Sequence, residues 1–326
     1  MMNRLFARRC IALGLASLFA VPLALAQKFP EKAITLVLTV PPGGPIDTLT
    51  RVVAAAATGI LGQAVIVESR AGGLGVPAVQ HLQKQPADGY TLLVLPDAGI
   101  TLLPLLQKIP PRRIEDFTFV GAFSFAPNVL AIRADIPAKT LAEFISYVKA
   151  RPGKSSYGTM LGVPQYIDFE RLKLQTGIDT LAVPYAGAAP VVTAMMGGQI
   201  DATIFNAAAF AEPARAGKLR VLATTAPRRI ALMPEVPTFA EAGFPNVKTS
   251  EGGIYILVGP VGMAKPVVDV LYRAFVAAAA QPETRKKLEA LGFEPYQREG
   301  EALRRDLARD LEENETLIKT LPLRLE

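Results

Sequence analysis

Short apolar runs and amphipathic stretches take turns along this chain, which predicts strands alternating with helices. The first run, Ile34–Val40, is apolar and β-branched without polar alternation, the pattern of a strand covered on both faces. It stops at Pro41, Pro42, Gly43 and Gly44, and helical spacing follows at Ile46, Leu49, Val52 and Val53. Further strands are predicted at Ala64–Glu68, Thr91–Leu95 and Phe117–Ala122, with helices at Pro45–Ile60, Val76–Gln85 and Thr101–Gln107. A second series has strands at Val129–Arg133, Ser155–Gly158, Thr180–Val183, Asp201–Phe205 and Leu219–Thr224. Between them lie helices at Thr140–Ala150, Gln165–Thr176, Ala188–Met196 and Ala207–Ala216, the first opened by a capping box of Thr140 and Glu143. The C-terminal part adds a strand at Tyr255–Val258 and helices at Pro266–Ala280, Pro282–Leu291 and Glu299–Ile318. Such alternation predicts an α/β fold with a mainly parallel sheet. Two series of βα units without a low-complexity linker predict two packed lobes, with a cleft lined by loops at strand carboxyl ends.

The N-terminus is read apart from the fold. MMNRLFARRC is a basic segment, IALGLASLFAVPLAL is apolar, and Ala24-Leu25-Ala26 forms a cleavage site, so residues 1–26 are expected to be a secretory signal peptide. Three arginines and no acid leave with it, taking the formal charge from +6 to +3. That charge is mild and lacks a cationic stripe with interleaved aromatics, which argues against a nucleic-acid partner. The only cysteine, Cys10, belongs to the same segment, so the mature chain is expected to hold no disulfide, thiolate nucleophile or sulfur metal ligand. Export without cysteine predicts a periplasmic protein with an ordinary core.

Three turns rich in Gly or Pro follow strands and precede helices: Pro41–Pro45, Gly158–Val163 and Pro184–Pro190. Each can serve as a tight connection, and each can aim free backbone N–H groups at an anion. Asp47, in the first turn of its helix, either caps that helix or accepts a hydrogen bond from a ligand. Gly73, Gly75 and Ala78 imitate a dinucleotide fingerprint, but Pro77 interrupts the helix start and the expected acid is missing. His81, the sole histidine, sits among Gln80, Gln83 and Lys84 on a solvated face, and no nucleophile elbow or credible acid–base pair is present. Neither a metal site nor a cofactor is expected.

Taken in order, FPEKAITLVLTVPPGGPIDTLTRVV, LGQAVIVESRAGGLG, PADGYTLLV, VPYAGAAPVVTAMMGGQID, AGKLRVLATT, PEVPTFAEAGFP and ALGFEP resemble the Bug-type solute receptors of tripartite tricarboxylate transporters. The resemblance spans essentially the whole mature chain. It implies a two-lobed periplasmic-binding-protein fold (Venus-flytrap, type II), monomeric and non-enzymatic. Its role would be to deliver a small organic carboxylate to an integral-membrane permease, or, in a rival reading, to present it to a membrane sensor. It also implies two crossings of the chain, with lobe one at 27–125 plus 250–326 and lobe two at 126–249. The family's ligand is held by main-chain amides and waters. Carried onto this chain, that assigns Pro42, Gly43, Gly44 and Asp47 in the first lobe and Thr159, Gly162, Val163, Tyr185, Gly187 and Asn206 in the second. Asp97 and Ala98 join them after the third strand. The chain departs from the family at Gly162-Val163-Pro164, where hydroxyls and an amide donor are lost, and at Leu95-Pro96-Asp97-Ala98, Ala186 and Phe205. These departures predict a more apolar pocket and a ligand with an aliphatic or aromatic body.

Overall fold

The first apolar run becomes β1 (Ile34–Leu38), buried at every residue but Thr35. The computed structural model describes residues 29–320 apart from Pro111, Gly162, Lys248 and Glu251. The predicted leader at residues 1–26 lies outside the described residues. After β1 come α1 (Pro45–Leu61), β2 (Val65–Ser69), α2 (Val76–Gln83), β3 (Thr91–Pro96), the short turns α3 (Ala98–Thr101) and α4 (Leu103–Leu106), and β4 (Phe117–Ala126). The middle of the chain forms β5 (Asn128–Arg133), α5 (Leu141–Lys149), β6 (Ser155–Thr159), α6 (Pro164–Thr176), β7 (Thr180–Pro184), α7 (Ala188–Met196), β8 (Ala202–Asn206), α8 (Ala208–Arg215) and β9 (Leu219–Thr224). The last part is β10 (Gly253–Pro260), α9 (Lys265–Ala280), α10 (Pro282–Ala290), β11 (Glu294–Glu299) and α11 (Gly300–Thr320).

These strands make two sheets, ordered β11-β4-β10-β3-β1-β2 and β7-β6-β8-β5-β9. Each contains a parallel trio, β2-β1-β3 in one and β7-β6-β8 in the other. The expectation of a mainly parallel sheet is corrected, because β10 runs antiparallel to β3 and β4, and β5 runs antiparallel to β8 and β9. The physical reason is the crossing of the chain. It leaves the first sheet after Ala126 and enters the second at Asn128, then returns after Thr224 to enter the first again at Gly253. A strand arriving from the other lobe starts at the end where its new neighbours finish, so it runs against them. The carboxyl ends of both parallel trios therefore face the neck where the chain crosses.

Each sheet buries both faces. Leu49 and Val53 of α1 and Phe275 of α9 cover one face of the six-stranded sheet, while Val79 and Leu82 of α2 and Leu303 and Leu307 of α11 cover the other. Phe144 of α5 and Phe169 and Leu172 of α6 cover one face of the five-stranded sheet, and Val191, Met195 and Phe210 cover the other. Burying each such side chain stabilises the fold by about 1.5–3 kcal/mol. At the predicted capping box the Thr140 hydroxyl accepts from the Glu143 amide at 3.2 Å, while the Glu143 carboxylate accepts from Lys139, one residue earlier than expected. The single helix predicted at Thr101–Gln107 is instead two turns broken at Leu102. Pro104 cannot supply the amide that would join them. Strand β11, EPYQRE, has no counterpart in the sequence reading, because a polar edge strand held by main-chain bonds to β4 shows no apolar alternation.

Candidate ligand-binding site

In the first lobe, the turn after β1 ends at Gly43, whose φ of 85° suits glycine, and Pro45 opens α1. The Gly43 amide donates to Asp47 Oδ2 at 3.0 Å, and Arg51 Nε donates to both oxygens of the same carboxylate at 3.0 Å. The Arg51 hydrogen bond holds the Asp47 carboxyl below the usual carboxylate range. The expectation that Gly43 N–H is free for a ligand is thereby corrected: it is spent on Asp47, and Asp47 is occupied as a cap. The donors left at this end are the amides of Gly44, Ile46 and Asp47, which meet no acceptor among the described residues. Pro42 is exposed beside them.

Asp97 follows β3. Its amide donates to the Ile254 carbonyl at 2.9 Å, and its carboxylate accepts from Ile254 N at 3.3 Å. Burial pushes its pKa up to about 7, with Asp310 and Asp168 adding repulsion. Asp97 and Ala98 line an interlobe cavity of about 710 Å³, together with Pro164, Asp168 and Arg171 of α6 and Asp310 and Asn314 of α11. Asp168 accepts from Ser250 N at 2.6 Å, and burial raises it to about 6.

In the second lobe, Thr159 is buried at the end of β6, and its carbonyl accepts from the Tyr185 amide at 2.8 Å. Val163 is the extended N-cap of α6. Gly187 caps α7 at φ 150°, with open space where a Cβ would stand. Asn206 closes β8, and its Oδ1 accepts from Ala208 N at 3.0 Å. All these residues lie at carboxyl ends of parallel strands or in the turns that follow them. Gly162 lies outside the described residues. Of the predicted set, among the described residues, only Asp97 and Ala98 line the cavity; the turns at Gly44 and Gly187 follow strands whose carboxyl ends face the neck.

Two residues escaped the sequence reading. Arg112 is 5% exposed; it donates to the Gly99 carbonyl at 3.1 Å and to that of Leu74. It has no carboxylate within ion-pair reach among the described residues, and burial lowers its pKa. It ties the turns after β2 and β3 together beside Thr39, at the end of β1. The second is Asn128, the first residue of β5, which is 1% exposed and opposite Asn206. No motif marks either position: the acceptors of Arg112 are main-chain carbonyls distant in sequence, and the Asn128 side chain meets that of Gln165, 37 residues on.

Two lobes, each with a parallel trio whose carboxyl ends meet at a doubly crossed neck, define a periplasmic binding-protein fold. The chain belongs to the tripartite tricarboxylate transporter family receptors (TctC), whose family profile matches residues 34–323. These are periplasmic solute-binding receptors, not enzymes, and they work with tripartite transporters. The chain is 35% identical over 318 residues to "UPF0065 protein in gbd 5'region" of Cupriavidus necator, covering 96% of this chain and 94% of that one. Among solved structures, a TctC solute-binding protein from Polaromonas without ligand is 28% identical with a TM-score of 0.81, covering 90% of this chain and all (100%) of its own. Rpa4515 of R. palustris, solved with adipate, is 30% identical with a TM-score of 0.69, covering 90% and 98%. Among the described residues no helix is long and apolar enough to cross a membrane.

Proposed function

We propose that this receptor captures a small organic carboxylate with an aliphatic or aromatic body at its neck and delivers it to the membrane permease of a tripartite transporter. In this reading it works as a periplasmic monomer, released from the leader at residues 1–26. The same reading divides the mature sequence into lobe one, 27–125 plus 250–326, and lobe two, 126–249. The observation that carries the reading is the meeting of strand carboxyl ends from both sheets at one neck, with unpaired amides at Gly44, Ile46 and Asp47. Arg112, a buried cation without a carboxylate partner, adds positive potential at the same end of the first sheet.

The turn between Thr159 and Pro164 carries Met160 and Leu161, 36% and 47% exposed, and ends at Val163 and Pro164, where a more polar pocket would place hydroxyls. Each hydroxyl contact missing to a polar ligand costs about 0.5–1.5 kcal/mol, while apolar surface rewards a carbon chain. The adipate bound by Rpa4515 is a carboxylate of that kind.

Thermal-shift screening across small carboxylates tests this. Adipate, longer aliphatic acids or benzoate are expected to raise the melting temperature more than citrate does. Stabilisation by citrate and other small polyanions alone would overturn the apolar reading.

A further inference from the structure

The amide side chain of Asn128 is an orphan. Its Nδ2 is fully buried and meets no acceptor among the described residues. Its Oδ1 meets only Gln165 Nε2, at 3.5 Å, the outer limit of a hydrogen bond. The backbone around it is by contrast saturated: the Asn128 carbonyl accepts from the Thr224 hydroxyl at 2.9 Å and the Thr225 amide at 3.0 Å. A buried donor left without a partner costs as much as a lost hydrogen bond, so such a group persists where something outside the fold completes it. Exchanging oxygen and nitrogen of this amide would set Nδ2 against the Gln165 Nε2 donor, so that contact favours the orientation in which Nδ2 is the unpartnered end.

Its location says what completes it. Asn128 is the residue at which the chain enters the second lobe, directly opposite Asn206 at the end of β8. Gln165 is the second residue of α6, a helix of 13 residues whose N-cap, Val163, supplies no side-chain acceptor. Pro164 has no N–H, and the Gln165 amide meets no acceptor among the described residues. Two side-chain amides and the positive end of a helix thus converge at the neck, on the lobe whose preceding turn lacks hydroxyls.

We propose that Asn128 and Gln165 form the second-lobe anchor for one carboxylate group of the ligand, with Asn128 Nδ2 as the buried donor. This rests on the carboxylate-receptor reading above. It adds a specific pair of side chains to a family pattern built on main-chain amides, and it replaces the donors missing at Val163 and Pro164.

Asn128→Leu removes the donor while keeping the volume. Titration calorimetry with adipate and benzoate, alongside melting of the ligand-free protein, reads the two effects apart. The variant is expected to bind the acid taken by the wild type about tenfold more weakly or worse, with ligand-free melting unchanged or raised. Asn128→Ser, whose hydroxyl is too short to span the gap, loses affinity likewise, and Asn128→Asp loses more through charge repulsion. Unchanged affinity in Asn128→Leu overturns this proposal alone. So does a fall in its ligand-free melting temperature, which would show the donor already satisfied within the fold. A wild type that binds neither of these acids nor any other small carboxylate overturns the receptor reading, and this anchor with it.

Discussion

Asp97 holds a carboxyl group at the neck, 9% exposed, with its ordinary value of 3.8 raised to about 7. Burial is the main cause; hydrogen bonds from Ala98 and Ile254 work against it, and Asp310 and Asp168 work with it. Between pH 4 and 7, roughly, the folded chain keeps a proton here that the unfolded chain has released. Stability should therefore fall as pH rises through that window. Asp168, raised to about 6, contributes in the same direction over a narrower range. Replacing Asp97 by Asn removes the larger part of this dependence, and at pH 8 the variant is expected to be more stable, on the order of 2–4 kcal/mol. Urea melts of both proteins at pH 5 and pH 8 would check it, and a variant whose stability still falls as steeply with pH would refute the assignment. The resemblance put Asp97 among the expected ligand-binding residues, but its altered protonation was not legible in the sequence. That shift comes chiefly from burial in the folded chain, with added repulsion from Asp310 of α11 and Asp168 of α6, both more than 70 positions away along the chain.

At the scale of elements, the strand-end turns of the first lobe are held in place by a side chain that none of them contains. Arg112 joins the turn after β2, through Leu74, to the start of α3, through Gly99. Arg112→Met removes the donor from the buried Gly99 carbonyl and from the more exposed Leu74 carbonyl, and is expected to destabilise by about 1–3 kcal/mol. Arg112→Lys should recover only part of this, because a single ammonium lacks the planar fork that spans both acceptors. Equal denaturant midpoints for the Lys variant and the wild type would mean that charge alone suffices. The contrast with α1 explains what was legible. Asp47, Gly43 and Pro45 lie within five residues of one another, so capping stood as one of two readings from spacing alone. β7 and β8 were visible in the same way, through local apolar runs. Arg112 was invisible because its acceptors are carbonyls 38 and 13 residues away, and β11 because its polar residues are paired through main chain.

Across the whole molecule, α11 is the strut between the lobes. Its first half packs on β4 and β11 of the first sheet, and its end, at Leu317 and Ile318, reaches the cluster around Phe144 and Phe169 of the second. Asn314 makes the polar joint: its Nδ2 donates to the Thr101 carbonyl of α3 at 3.1 Å, and its Oδ1 accepts from Arg171 of α6 at 3.0 Å. One buried amide thus holds both lobes at once, beside the cavity that Asp97 and Asp168 line. If the lobes close on a ligand about the two-segment neck, as the proposed function implies, such a joint biases the equilibrium between open and closed arrangements. Asn314→Ala leaves Thr101 O and Arg171 without this partner, and the protein should melt lower by the equivalent of about 1–3 kcal/mol. Because the joint spans the lobes, its loss should also widen their mean separation. Small-angle scattering of the ligand-free variant is therefore expected to give a larger radius of gyration than the wild type. A lower melting temperature with an unchanged radius would confine Asn314 to local packing and leave the neck alone to set the lobe angle.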